Sequence, residues 1–253
     1  MNKQAYIDTL LHLADNALIL SQRNAEWCGH GPVLEQDIAI TNISLDLLGQ
    51  ARNFYQYTAE LINEQAAAGT IPATEDSLAY LRKEREFRNC LLLELPRGDW
   101  AHTILRQFFF SNYQSLLMKK LQDNADPQIA AIAEKSLKEV TYHLRWSAEW
   151  VIRLGDGTEE SKARMEKAIT DLWPYTGELF TPASYEKEAG VVTADLYQPW
   201  MEKIVAVFEE ATLPVPANTF MHTGGKIGRH TEHLGFLLAE LQYMQRAYPG
   251  ANW

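Results

Sequence analysis

Apolar residues recur along this chain at intervals of three and four, the spacing that lays one face of an α-helix against a core. On that pattern and its punctuation the sequence predicts helices at about 3–23, 33–66, 77–89, 99–122, 127–153, 158–180, 193–211 and 225–247. Gly29-His30-Gly31-Pro32 closes one loop and opens a helix, with Glu35 close behind. Pro96-Arg97-Gly98-Asp99 does the same with Asp99 as N-cap, and Asp126-Pro127 opens the next helix. Gly155-Asp156-Gly157-Thr158 separates two helices, and Pro174 kinks or ends another. Alternation of strand type is nearly absent, Gly190-Val191-Val192 being the one hint. Residues 64–76 are the most linker-like stretch but are too short to divide the chain, so one long-helix bundle over residues 1–253 is expected.

Two helices stand out by what they would bury. Residues 38–51 carry one charge, Asp46, amid isoleucine, leucine and alanine. A helix apolar nearly all round is a buried helix, here with a narrow polar stripe of Ala39, Asn42, Asp46, Gly49, Gln50 and Asn53. Residues 100–118 repeat the theme, with Arg106 the only formal charge. In the helix from 127, Lys135, Glu139 and His143 form a ladder beside Trp146 and Trp150, which reads either as a surface salt-bridge row or as a polar row inside the bundle. Asp46 and Gln50 of the stripe, and Lys135, Glu139, Tyr142 and His143 of the helix from 127, are the candidates for a structural polar core. Phe87, Phe108, Phe109, Phe110, Tyr113, Trp146 and Trp150 are more aromatic surface than one small core needs, which points to an interface with another protein.

Charge and cysteine content narrow the field. The chain of 253 residues has a formal net charge of −10, which argues against nucleic acid or anionic lipid as a partner. No apolar run approaches the roughly 20 residues that span a membrane. Met1-Asn2-Lys3 leads straight into an amphipathic segment rather than a leader, and Cys28 and Cys90 form no CxxC pair. Both features suit a reducing cytoplasm and no structural zinc.

A long-helix bundle raises the question of a di-iron site, which needs two Glu-x-x-His pairs so that both side chains meet the same metals. No Glu here has His three positions later: Glu139 is followed by Tyr142, and Asp46 by Gly49. Asp99-x-x-His102 sits at a helix start, where Asp99 serves as a cap. His230-x-x-His233 lacks a third ligand for zinc, and His12, His30 and His222 stand alone. Cys28, near Glu26 and His30, lacks an organising partner for nucleophilic chemistry. Thr223-Gly224-Gly225-Lys226-x-Gly228-Arg229 is glycine-rich and basic, so it is either a hinge or a contact for a partner or an anion. Lys226, Arg229, His230 and His233 are the candidate contact residues.

Several segments taken together resemble one family. They are Leu20-Ser21-Gln22-Arg23, Glu26-Trp27-Cys28-Gly29-His30, residues 42–53, residues 138–145, and Thr223-Gly224-Gly225-Lys226 followed by His230-Thr231-Glu232-His233-Leu234-Gly235. They resemble the structural (beta) subunits of ring 1,2-phenylacetyl-CoA epoxidases, from the first helix to Trp253. The resemblance implies a ferritin-like bundle with extra flanking helices and a role in aerobic phenylacetate degradation. It implies a hetero-oligomer with a homologous catalytic subunit that holds the di-iron centre, and with other epoxidase components including a flavin and iron–sulfur reductase. It also implies that this chain has no metal, no cofactor and no catalytic residue, Asp46, Glu139 and His143 being degenerate remnants. Two alternatives stay open: an oxygenase with an irregular ligand set around Asp46, Glu139, His143 and His233, and a helical small-molecule-binding protein.

Overall fold

The structure, a computed structural model, describes residues 2–217 and 219–251; Met1 and Trp253, the two ends of the expected domain, lie outside the described residues. It is all-α, with no strand among the described residues. The helices are α1 (Lys3–Ala25), α2 (Leu34–Asn63), α3 (Glu75–Tyr80), α4 (Leu91–Glu94), α5 (Trp100–Leu121), α6 (Pro127–Gly155), α7 (Glu159–Leu172), α8 (Ser184–Glu188), α9 (Tyr197–Glu210), α10 (Glu232–Leu241) and α11 (Tyr243–Ala247). Among the described residues no helix is long and apolar enough to cross a membrane. The expected caps are present, Asp99 accepting from the His102 amide at 3.0 Å and Asp126 from Gln128 at 2.8 Å.

The chain forms two compact units. The first comprises Met1–Pro96, Ala183–Val191 and Gly224–Trp253, the second Arg97–Pro182 and Val192–Thr223. In the first unit α1 packs along α2. From Thr9 to Ser21 every residue of α1 is buried, polar side chains included. Residues 64–74 of the expected linker are a loop within this unit, its last two residues, Glu75 and Asp76, opening α3; the loop is pinned where Asn63 donates to the Ala73 carbonyl (2.9 Å) and accepts from its amide (2.7 Å).

α2 corrects the expectation of all-round burial. Ile40, Ile43, Leu47, Gln50, Ala51 and Phe54 face α1's side of the unit and are buried, whereas Leu34, Ile38, Leu45 and Leu48 are exposed. The apolar period marks two faces, and among the described residues only one of them is buried. Helix 77–89 is also corrected. It breaks after Tyr80: a single 3-10 turn, Glu84–Glu86, follows, and residues 87–90 then leave helical geometry, α1 side chains supplying acceptors that a helix would have supplied. Asp15 takes the Arg88 amide (2.7 Å) and Asn16 takes the Cys90 amide (2.8 Å). The predicted helix 225–247 likewise starts late. Gly225–Ile227 is a 3-10 turn ended by Gly228 at φ 74°, and Thr231 then caps α10.

In the second unit α5 packs on α6, with α7 and α9 alongside. Phe109 meets Trp173, Trp200 and Phe208 at centroid distances of 5.8, 5.8 and 6.2 Å, and Trp200 donates to the Phe109 carbonyl at 2.9 Å. The aromatics that exceed the needs of a small core are absorbed within the chain. Phe87, Phe108, Phe109, Phe110, Tyr113 and Trp146 are all buried, and only Trp150 is part-exposed. They therefore give no argument for an interface.

Two glycines of opposite setting test this packing. A Cβ on Gly225 would stand 2.2 Å from the Asn89 carbonyl oxygen, whereas one on Gly49 would meet nothing within 4 Å. Gly225→Ala is expected to destabilise by about 1–3 kcal/mol. Gly49→Ala, within an exposed stretch of helix, should stabilise by up to about 1 kcal/mol. Urea unfolding midpoints of the two variants would show the opposite signs.

Candidate functional site

The polar chemistry of the first unit collects around α1. Asp15, fully buried, accepts from the Tyr55 hydroxyl at 2.5 Å, from Arg82 through both guanidinium nitrogens, and from the Arg88 amide. Burial would lower the Arg82 pKa, but the Asp15 charge outweighs it and holds the guanidinium protonated. Burial, reinforced by Asp15, pushes the Tyr55 hydroxyl well up, so Tyr55 stays a donor. Arg88 also pairs with Asp8 at 3.2 Å. Glu186 of α8 accepts from the Ala183 amide (2.7 Å) and from the buried Lys226 ammonium (3.0 Å). Glu94 of α4 accepts from the Thr231 amide (2.6 Å), Asn89 (2.8 Å) and His230 (2.7 Å). Buried carboxylates persist only when matched in this way, since an isolated buried charge costs several kcal/mol.

Two buried histidines are held in opposite states by their acceptors. His230 places Nδ1 on the Glu94 carboxylate and Nε2 3.0 Å from the Phe87 carbonyl. Both partners only accept, so both ring nitrogens carry hydrogen. Burial opposes that charge, but the Glu94 bond and its charge prevail and raise the His230 pKa. His12 donates Nδ1–H to the Arg88 carbonyl at 2.7 Å, and its Nε2 lies 3.2 Å from the Asn16 amide nitrogen. The Asn16 oxygen is committed to the Cys90 amide, so its NH₂ faces His12 and Nε2 accepts. His12 is thus neutral, and burial, only partly offset by Glu186 at 3.7 Å, lowers its pKa.

The residues expected as a polar core lie elsewhere. Gln50 and His143 are buried, Asp46 and Glu139 are half-buried, and Lys135 and Tyr142 face solvent. The cause is helical drift, since steps of four residues turn about 40° past a full turn. The ladder therefore walks from exposed Lys135 through Glu139 to buried His143, and Tyr142 projects near Lys135. Among the contact candidates, Lys226 and His230 are corrected: both are spent on internal carboxylates. Arg229 is exposed; His233 is half-buried, its carbonyl 3.5 Å from Arg23. The glycines at 225 and 228 are explained by packing, since a Cβ there would strike the Asn89 and Arg85 carbonyl oxygens.

For a di-iron centre the donor chemistry does not fit. Gly49 and Tyr142 bring no imidazole to the positions three residues after Asp46 and Glu139. Among the described residues no three His, Cys, Asp or Glu side chains converge as ligands. The Asp15, Glu94 and Glu186 centres escape sequence reasoning because α1 reads as a helix dotted with polar residues, and no period in the sequence points from them to Arg82, His230 or Lys226.

Long helices α1 and α2 in one unit, α5 and α6 in the other, and shorter helices beside them define an all-α protein of the ferritin-like class. The chain belongs to the family described as phenylacetic acid catabolic protein, whose model matches residues 1–253. It is 49% identical over 248 residues to one of the subunits of the 1,2-phenylacetyl-CoA epoxidase of Escherichia coli (strain K12), covering 96% of this chain and 97% of that protein.

Glu94→Ala should destabilise the protein by about 3–5 kcal/mol, because it strands the buried His230 charge and the Thr231 amide. The histidines give pH effects of opposite sign. His230, raised when folded, adds stability that is full below its ordinary value of 6.5 and fades as pH rises through the folded pKa. His12, lowered when folded, takes stability away as pH falls below 6.5. Unfolding midpoints measured from acid to alkaline pH should lose the acid-side decline in His12→Gln and the alkaline-side decline in His230→Gln.

Proposed function

We propose that this chain is the structural subunit of a multicomponent cytoplasmic monooxygenase that epoxidises the ring of phenylacetyl-CoA. It holds a homologous catalytic partner that carries the di-iron centre, with electrons delivered by a separate reductase. The observation that carries this reading is identity along almost the whole length to a subunit of a phenylacetyl-CoA epoxidase. A family match spanning residues 1–253 supports treating the chain as one ferritin-like domain. The unsuitable donor set at Asp46 and Glu139 supports a role other than catalysis.

α2 supplies a surface for such a partner. Leu34 (71% exposed), Ile38 (52%), Leu45 (60%) and Leu48 (42%) form one apolar stripe, broken only by Thr41. It runs about 21 Å at 1.5 Å per residue. An exposed contiguous apolar patch marks an interaction site, and a long straight one suits another helix. At its end Leu48, Leu18 and Tyr80 line a cleft of about 250 Å³ together with the charged Arg52, Glu75 and Asp76, room for one side chain from the partner.

Two measurements test the reading. Gel filtration with the catalytic homologue should give one co-eluting species, with an interface above roughly 1,000 Å². Leu45→Glu should separate it into two peaks while leaving the chain's own helical signal unchanged, because Leu45 is exposed. Iron analysis of the chain purified alone should find far less than one iron per chain; stoichiometric iron would restore the oxygenase alternative.

A further inference from the structure

A second surface of the first unit has chemistry of its own, independent of α2. A polar cleft of about 470 Å³ is lined by Glu84, Arg85, Ile227, Gly228, Arg229 and His230. Arg85 and Arg229 are both exposed, and neither forms an ion pair among the described residues. In a chain with 33 acidic and 23 basic residues, carboxylates to neutralise them are plentiful. Arg23, Arg88, Lys120, Arg164 and Lys167 have each taken one. We propose that this cleft binds a phosphoryl group between the guanidinium groups of Arg85 and Arg229.

The backbone fixes both stems beforehand. Gly228 is left-handed and lies so close to Arg85 that a Cβ would be 2.3 Å from the Arg85 carbonyl oxygen. Arg229 donates its amide to the Gly224 carbonyl at 2.9 Å, closing the turn. The segment before the cleft is anchored by Arg82 on Asp15, and the segment after it by Thr231 on Glu94. Little freedom of the main chain is therefore left to lose on binding. His230 forms part of the wall, but its ring hydrogens go to Glu94 and Phe87, and its charge is matched by Glu94. The free donors are the two guanidinium forks, whose planar geometry suits phosphate oxygens. Glu84 is the carboxylate in the lining, and its Oε2 would lie 3.2 Å from a Cβ on Gly235 of α10, so it is turned toward that helix. It weakens an anion's hold without blocking the cleft.

Titration of the full chain at low ionic strength with inorganic phosphate and with ADP, followed by phosphorus NMR and calorimetry, tests the proposal. Binding should weaken about tenfold in Arg85→Gln and in Arg229→Gln, the loss of one charge-assisted contact, and should strengthen in Glu84→Gln. All three side chains are exposed, and unchanged melting curves would show that the variants fold. Equal binding of both probes assigns the site to a bare phosphoryl group, and binding of ADP alone assigns it to a nucleotide-borne one. No binding of either probe, or variants that bind as the parent does, overturns the proposal. So does Arg229→Gln losing the catalytic homologue while no phosphate binds, which would give the arginines to an acidic protein surface.

Discussion

The first unit is organised by the need to satisfy one carboxylate. Asp15 lies on a helix buried on every side, where water cannot reach it and an unmatched charge would be intolerable. Its two oxygens draw in Tyr55 from α2, Arg82 from the end of α3 and the Arg88 amide from the extended segment that follows. That last bond explains why residues 87–90 leave helical geometry although their composition permits it. The extended course then delivers Glu94 to Thr231 and His230, and through them sets the start of α10.

Much of the architecture is written in local sequence, because helix periods and caps act over a few residues. Asp99, Asp126 and Pro174 mark their boundaries where the spacing puts them. What local sequence does not carry is the identity of the surface that a face meets. Residues 38–51 are apolar nearly all round, the mark of a buried helix, yet Leu45 and Leu48 are exposed. α1 carries Asp8, His12, Asp15 and Asn16, the mark of a half-wet helix, yet its partners bring their own polar groups from 67, 73 and 74 residues away. The carboxylates that organise the fold are thus not those left over from an expected metal motif.

Asp46 and Glu139 make the same point in reverse. The family resemblance casts them as survivors of a ligand set in a dry interior. Both are half-exposed in the chain, where a carboxylate keeps part of its hydration and an ion pair contributes little. Buried, fully matched acids lie instead at positions 15, 94 and 186, which have no ligand-like spacing at all. The ground for an interface moves in the same way, from aromatic residues that are mostly buried within the two units to aliphatic residues that α2 displays.

Asp15 and its neighbours also impose an order of events during synthesis. Thr9 of α1, whose hydroxyl donates to the Ala5 carbonyl at 2.8 Å, lies 3.3 Å from the Tyr185 carbonyl, 176 residues later, and Glu94 waits for the Thr231 amide, 137 residues later. At about 5–20 residues per second on the ribosome, α1 remains without its distal partners for roughly 9–35 s. Loops this long close only after much entropy has been lost, so they close late. The second unit, drawn from residues 97–182 and 192–223, is complete before Gly224 is made. α1 can therefore settle early on α2 and on residues 82–90, while the polar groups that answer to Tyr185 and Thr231 are completed late.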